Sequence, residues 1–575
     1  MPTNSLILEG RTFLGRAWQL AKPYWRFDER RSAWLLLVTI VSLSLCTVYL
    51  LVILNDWNRQ FFNAIEQKNK DDFYRLLIEF CGIAFAYIVV AAARSYLRQS
   101  LEMRWRIWLT RTYIGEWLGD QVYYRLEQNP RGTDNPDQRI ADDLRQFTST
   151  SLALTLDLLQ QIVTFASFLV ILWTVSGALA VTIGETVWNI PGYMVWVALL
   201  YAIAGSIATF YVGRPLIGLN FRQERFEADF RFSLVRMREH AEGIALYGGE
   251  RAEHAHLQDN VEGIRSNWWQ LMRAHLRLNL LTNTYGQIAV IFPFFVAAPR
   301  YFAGTITFGT LTQIADAFGT VQSSLSWFVQ SYASLAGWKA SVDRLLTFHD
   351  AVNDAAGEAR KQPGVKRVDH DQRTIQAVDL GLALPNGRVI LTEGSFAIKP
   401  GARTLLAGPS GSGKSTLFRA IAGIWPYGGG AIRIPAGARV MFLPQKPYIP
   451  IGSLRAAVTY PSVASAFDEG AISEALRLVQ LDGFVERLDE SRNWSTAMSG
   501  GEQQKLAIAR ALLAQPEWLF LDEATSSLDE PTEKILYELL MTRLPDAAIV
   551  SIAHRSQVAT FHTSWLQLSG GRLVH

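Results

Sequence analysis

Long apolar runs crowd the first 335 residues of the chain and are absent from the last 200. A helix that crosses a bilayer needs about 20 mostly apolar residues. Trp34–Leu54, Leu158–Val175, Tyr193–Val212 and Asn279–Ala298 supply them, as does Leu76–Ala93 despite Glu79 near its start. A sixth stretch, Leu311–Leu335, is more polar. Its Gln313, Asp316, Gln322 and serines predict a helix that faces a bundle interior or a wet cavity. Asp316 is the preferred candidate for a translocation path, set against the plainer reading of a hydrogen-bonded or interfacial carboxylate. Asp157 is expected at a helix end, and Glu79 one turn from the outer boundary. Aromatic residues such as Trp34 and Tyr193 read as interface anchors rather than a ligand cage.

Basic residues gather on the cytoplasmic side of spans. Here they mark the leading segment (Arg11, Arg16, Lys22, Arg26, Arg30, Arg31) and the two long inter-span segments 94–150 and 213–278. Segment 176–192 has none and 299–310 has only Arg300. Both termini are therefore expected in the cytoplasm. The two long basic segments have few Gly or Pro breaks and read as helices that continue the spans, with turns near Asn129–Asp142 and Phe230–Glu242.

From Asp350 to about Arg373 the chain is charged and punctuated by Gly and Pro, so 350–373 reads as a linker. Beyond it, strand-like runs alternate with helical patterns: Arg403–Ala407 before Ser415–Gly423, then Val440–Leu443, Trp518–Leu521 and Ile549–Ile552. That alternation predicts a largely parallel sheet with helices packed on it. The expected organisation is an α-helical six-span membrane domain over 1–349, the linker, and an α/β domain over 374–575.

Composition adds a few exclusions. The mean hydropathy of +0.10 averages over two unlike halves. A net charge of +3 gives no reason to expect nucleic acid. Cys46 and Cys81 both lie in apolar segments, which excludes a disulfide framework. The first 33 residues are polar and basic, so no cleavable signal peptide is expected.

The chemistry sits in the α/β half. Gly408-Pro409-Ser410-Gly411-Ser412-Gly413-Lys414-Ser415-Thr416 follows a strand and opens a helix, the context a phosphate-binding loop requires. Its glycines let backbone N–H groups crowd a phosphate at a helix N-terminus. Lys414 would neutralise β/γ oxygens of ATP, and Ser415 would ligate Mg2+. The strand Trp518–Leu521 ends in Asp522, suited to the Mg2+ shell, and Glu523, suited to polarise an attacking water. Between them lies Ser499-Gly500-Gly501-Glu502-Gln503-Gln504.

The ordered set of phosphate loop, Gln445, Ser499-Gly500-Gly501-Glu502, Asp522-Glu523, Ser526-Ser527-Leu528-Asp529 and His554 resembles the cassette of ABC transporters. The resemblance implies that Gln445 senses Mg2+ and contacts the membrane domain, that His554 contacts the γ-phosphate, and that Asp529 communicates across a dimer. Six spans with two long cytoplasmic helical loops are similar to the exporter-type members, in which the loop turns press on the cassettes. Asn55-Asp56-Trp57-Asn58, Asn135-Pro136-Asp137-Gln138-Arg139-Ile140, Phe230-Arg231-Phe232, Ala298-Pro299-Arg300-Tyr301 and Phe442-Leu443-Pro444-Gln445 narrow the likeness further. They resemble SbmA/BacA-like bacterial transporters, whose cassette-bearing members take up peptides, cobalamin and bleomycin-type molecules. They also resemble the D subfamily of half-transporters for fatty acyl-CoA or cobalamin.

Two departures stand out. The signature reads Met498-Ser499-Gly500-Gly501-Glu502, with Met and Glu where the family pattern has Leu and Gln. The stretch Leu380–Asn386 holds no aromatic to stack on adenine, and Leu384 stands at the best-aligned position. The resemblance implies ATP held between the phosphate loop of one chain and Ser499 and Gly501 of another, hence a homodimer in a bacterial inner membrane. The expected cargo is a peptide-like or other large hydrophilic solute, taken up. The alternatives are a lipid or acyl-CoA translocator, an ATP-gated channel, and a soluble ATPase whose apolar half is a buried core.

Overall fold

The computed structural model describes residues 13–26, 29–129, 132, 135–183, 186–361 and 364–574; Arg11 and part of the Asn129–Asp142 turn lie outside them. The chain divides into two compact units, Met1–Ile114 with Asp134–His349, and Gly115–Thr133 with Asp350–His575. Its principal helices through residue 361 are α1 (Arg30–Glu66), α2 (Lys70–Leu118), α3 (Val122–Gln128), α4 (Leu144–Ser176), α5 (Tyr193–Glu239), α6 (Ala241–Tyr247), α7 (Glu250–Phe302), α8 (Phe308–Gln330) and α9 (Tyr332–Lys361).

Among the described residues of the first unit, α1, α2, α4, α5 and α7 belong to five helices long and apolar enough to cross a membrane. The 23 residues of α8 extend about 35 Å at 1.5 Å per residue, enough for a hydrocarbon core of about 30 Å. This helix packs on α1, α4, α5 and α7. It buries Ile314, Phe318 and Val321, and with them the polar Thr312, Gln313 and Ser324.

Polar contacts fix where α8 begins. An α-helix leaves its first N–H groups without partners. Here the Phe308 and Gly309 amides donate to Glu66 Oε2 (3.0 Å) and Asn63 Oδ1 (2.9 Å) at the end of α1. A Cβ on Gly309 would collide with the Arg59 carbonyl, so only glycine permits this approach. Helices α5 and α7 are joined by a reciprocal pair. Tyr201 Oη donates to the Tyr285 carbonyl (2.6 Å) and Tyr285 Oη to the Tyr201 carbonyl (3.0 Å), with the rings stacked 4.4 Å apart. Gly205 leaves the space that the Tyr285 ring fills.

A π-helical turn, Arg139–Asp143, precedes α4 and presents Asp143 to two arginines. Arg139 donates to one carboxylate oxygen, and Arg344 of α9 forks across both. Asp143 is only 4% exposed, so the carboxylate has exchanged water for these two guanidinium groups.

Three local expectations need correction. Asp157 lies inside α4, not at a helix end, because Leu144–Ser176 continues without a break on both sides of it. Tyr193 is 3% exposed beside Arg300 rather than an interface anchor. The chain leaves Gly192 in a left-handed turn, which folds the ring inward. The 350–373 stretch is not an irregular linker. Helix α9 continues to Lys361 and Lys366–His370 is a strand, while residues 362–363 lie outside the described residues. Ala351, Val352 and Ala355 form a short buried stripe at helical spacing, which the surrounding charges mask.

The second unit is built on a six-stranded sheet in the order 572–574, 564–569, 403–407, 548–552, 518–522, 440–443. All neighbours are parallel except the first pair. Alternation along its strands feeds two cores. Leu519, Leu521 and Ile549 face one, and Trp518, Phe520, Ala548 and Val550 face the other. A second sheet combines 366–370, 428–435, 375–383 and 389–391, with 396–398 paired to 375–383. The turn Gly115–Thr133 belongs to this unit, and its helix α3 buries Val122 and Leu126. Tyr124 of α3 lies near Arg419 and Tyr427, and burial raises its hydroxyl above the ordinary pKa. The turn helices thus fall at Val122–Gln128 and Ala241–Tyr247, one just before and one at the end of the stretches expected to turn.

Candidate active site

The strand Arg403–Ala407 is buried through Thr404–Leu406 and delivers the chain into the phosphate loop. Gly408, Gly411 and Gly413 have φ of 151°, 76° and 99°, values that L side chains resist. At Gly413 a Cβ would also strike Ile390, so shape and conformation both require glycine. Helix α10 (Lys414–Ile421) starts there and aims its free N–H groups back over the loop.

Lys414 is 6% exposed. Its Nζ donates to the Gly408 and Pro409 carbonyls at 2.7 and 3.0 Å, so the ammonium is held within the loop. Ser412 Oγ is buried without a hydrogen-bond partner, while Pro409, Ser410 and Gly411 form the exposed crest. An unpartnered hydroxyl, a buried ammonium and glycine-framed amides are donors suited to an anion. The loop therefore fits the nucleotide phosphates that its motif implies.

Ser415 Oγ donates to Asp522 Oδ1 at 3.0 Å. Burial pushes the Asp522 carboxyl up from its ordinary pKa; the Ser415 hydrogen bond opposes the shift and neighbouring Glu523 adds to it. Hydroxyl and carboxylate are oxygen donors of the kind Mg2+ takes, and Gln445, tied to the adjacent Glu523, carries a third such oxygen on its side chain.

Glu523 has a φ of 50°, unusual for a residue with a side chain. That turn carries it out of the sheet and between two partners. Gln445 Nε2 donates to its Oε2 at 3.0 Å, and His554 Nε2 lies 3.0 Å from its Oε1. A carboxylate only accepts, so His554 carries its proton on Nε2 in this arrangement. Lys414 is thus held by the loop, Ser415 meets Asp522, and the adjacent Glu523 meets both Gln445 and His554.

The residues Ser499–Glu502 form a separate turn at the start of α11 (Gly500–Ala514). Ser499 Oγ accepts from the Glu502 amide (3.3 Å), and Glu502 Oε2 accepts from both the Ser499 amide (2.7 Å) and its hydroxyl (2.8 Å). This is a capping box, and it explains the glutamate in the signature as the helix's own cap. A Cβ on Gly501 would press Leu528 Cδ2 at 3.2 Å, so the glycines seat the turn on Ser526–Asp529. Asp529 stands at the N-cap of α12 (Glu530–Arg543).

Sequence reasoning assigned no role to Gln504, which is 1% exposed. Its Nε2 donates to the Gln445 carbonyl (3.0 Å) and Ser526 Oγ (3.3 Å), while its Oε1 accepts from the Ser527 amide (2.9 Å). One side chain therefore ties the segment before the site to the segment after it. Arg510 was missed as well. It donates to the Ala457 and Tyr448 carbonyls, and burial brings its pKa down to about 10. Arg555 completes the network with a hydrogen bond to the Leu528 carbonyl at 2.7 Å. Leu384 packs in the core that contains Trp425, in the turn before strand 389–391.

Elsewhere, Asp316 accepts from Asn58 of α1, so it has a partner within the first unit.

Residues 27–302 match the family described as ABC transporter transmembrane region 2, and residues 391–526 match the ABC transporter family. The chain is 34% identical over 541 residues to the inner membrane ABC transporter ATP-binding protein YddA of Escherichia coli, covering 94% of each. It is 32% identical to ABC transporter D family member 2, chloroplastic, of Arabidopsis thaliana, over 98% of this chain and 87% of that protein. In three dimensions it is similar to a bacterial Atm1-family ABC exporter with ATP bound, with a TM-score of 0.72, 95% of each chain covered and 17% identity.

Proposed function

The chain belongs to the ABC transporters, as a multi-pass membrane domain fused to an ATP-hydrolysing cassette, and on that premise we propose what it carries and which residues drive it. It takes up a peptide-like or other large hydrophilic solute, of the antimicrobial-peptide, cobalamin or bleomycin kind, across a bacterial inner membrane. It works as a homodimer with both cassettes in the cytoplasm. The observation that carries the cargo reading is the polar interior of the first unit. Gln313 of α8 and Asn55 of α1 are both about 5% exposed or less, and each keeps a side-chain oxygen without a partner. Such groups are expensive in hydrocarbon and suit a hydrated path. The SbmA/BacA-like resemblance supports the same cargo.

The likeness to a D family member favours a second reading, a lipid or fatty acyl-CoA translocator. Purified protein in lipid separates the two by which solute stimulates ATPase and crosses the bilayer.

In the cassette, Gly408–Thr416 binds the phosphates and Lys414 turns its ammonium from the loop carbonyls toward them. Ser415, Asp522 and Gln445 would hold Mg2+, which when bound neutralises charge developing on the phosphate oxygens. Glu523 orients the attacking water and accepts its proton, and His554 holds Glu523 in place. The turn Ser499–Glu502 and Asp529 act on the nucleotide of the partner chain. Replacing the base is expected to lower turnover by about 100-fold or more. Glu523→Gln should therefore bind ATP and lose hydrolysis; undiminished ATPase in that variant would show that another group is the base.

A further inference from the structure

Helices α2 and α4 share a polar seam where their apolar stretches end. Arg94 donates to the Gln160 side chain, and one turn on Arg98 stands 3.8 Å from Asp157. After one more turn comes Glu102, half-buried, with no hydrogen bond or ion pair among the described residues. It faces a cavity of about 500 Å3, lined also by Thr150, Ser331 and Ser334. Ser331 is the residue at which α8 ends before α9 begins, so three helices leave their apolar segments at this one place.

The chemistry of the lining is selective. Arg98 and Asp157 offset each other, which leaves the Glu102 carboxylate as the net charge among hydroxyl groups. A half-buried carboxylate that lacks an internal partner attracts an incoming cation. The volume lies within the range of small-ligand pockets. It accommodates one side chain with its adjoining backbone rather than a whole peptide.

We propose that this cavity is a cargo-docking site that takes one ammonium or guanidinium group of a hydrophilic solute on Glu102, with the hydroxyls of Thr150, Ser331 and Ser334 receiving the polar atoms around it. The proposal rests on the reading of the chain as a carrier of peptide-like solutes, and makes it specific: cationic cargo is preferred and anionic cargo repelled.

The test uses the full chain in lipid nanodiscs and its ATPase response to three probes: a short alanine peptide with one lysine, the same peptide with that lysine acetylated, and palmitoyl-CoA. The lysine peptide is expected to half-saturate at a concentration about tenfold lower than its acetylated twin, a difference of one good interaction. Glu102→Gln should erase that difference. Equal responses to the two peptides overturn the docking site while leaving the hydrophilic-solute reading intact. A response to palmitoyl-CoA alone overturns both. If Glu102→Gln does not assemble, Ser334→Cys answers the same question. The lysine peptide should slow maleimide labelling at that position, and labelling at an unchanged rate overturns the proposal.

Discussion

At the scale of single residues, Gln504 shows how much of the cassette depends on one amide. Itself 1% exposed, it satisfies a backbone carbonyl, a backbone amide and a hydroxyl in two segments on either side of it. Each such hydrogen bond contributes about 0.5–1.5 kcal/mol net. Gln504→Leu should therefore lower the stability of the cassette by about 2 kcal/mol, read as a drop in denaturation midpoint, and should weaken ATPase without touching a nucleotide. His562 gives a pH signature. Its Nδ1–H donates to the Val558 carbonyl and its Nε2 accepts from Ser551 Oγ. Burial holds its pKa below the ordinary 6.5. The unfolded chain then binds the proton more readily, so the contribution to stability is complete above pH 6.5 and is lost as pH falls through the lower folded value. The apparent melting temperature of the cassette should fall on acidification, and His562→Gln should flatten the slope. The motif residues were legible because phosphate chemistry restricts their types and spacing. Gln504 and Arg510 were not, since a polar residue inside an amphipathic helix does not reveal which distant carbonyl it meets.

At the scale of elements, polar side chains set the registers that apolar packing alone leaves loose. Asp143 is the clearest case, because the π-helical turn brings it between Arg139 and Arg344. Breaking a buried ion pair by removing one partner typically costs about 3–5 kcal/mol, because the remaining charge stays buried. Asp143→Ala should therefore destabilise the membrane unit in a thermal-unfolding assay, more than Asp142→Ala at the exposed neighbouring position. A matching loss for both would remove the special status of Asp143. The long helices were legible from stretches of about 20 mostly apolar residues. The end of α9 was not, because only Ala351, Val352 and Ala355 carry its buried stripe among charged neighbours. The sheet of 366–398 and 428–435 was equally hidden, since two of its strands have three residues each and 428–435 pairs with 366–370 and 375–383 across the phosphate loop region.

At the scale of the whole molecule, the two halves of the nucleotide site occupy separate turns of one cassette, and the proposed homodimer brings each to the other chain's complement. Two inactive variants then rescue each other. Lys414→Ala disables the phosphate loop, and Ser499→Arg disables the signature turn. Mixed dimers concentrate both lesions in one site and leave the other whole. Co-assembly of the two variants should restore ATPase that neither shows alone, whereas a cassette that hydrolyses unaided would show no rescue. The division of the chain into membrane and cassette halves was legible from hydropathy. The cavity at Glu102 was not, because it requires knowing that residues 98–102, 146–157 and 331–337 meet.

The capping box of the signature turn bears on how such a dimer opens again. A hydroxyl has a single hydrogen, and that of Ser499 is engaged by Glu502 within its own chain. To donate to a phosphate across the interface it must first release that carboxylate. Closing is then a barter of one bond for another, with little net enthalpy from this residue in either direction. A motor that must part its halves every cycle is well served by a contact surface that recognises its partner without clinging to it.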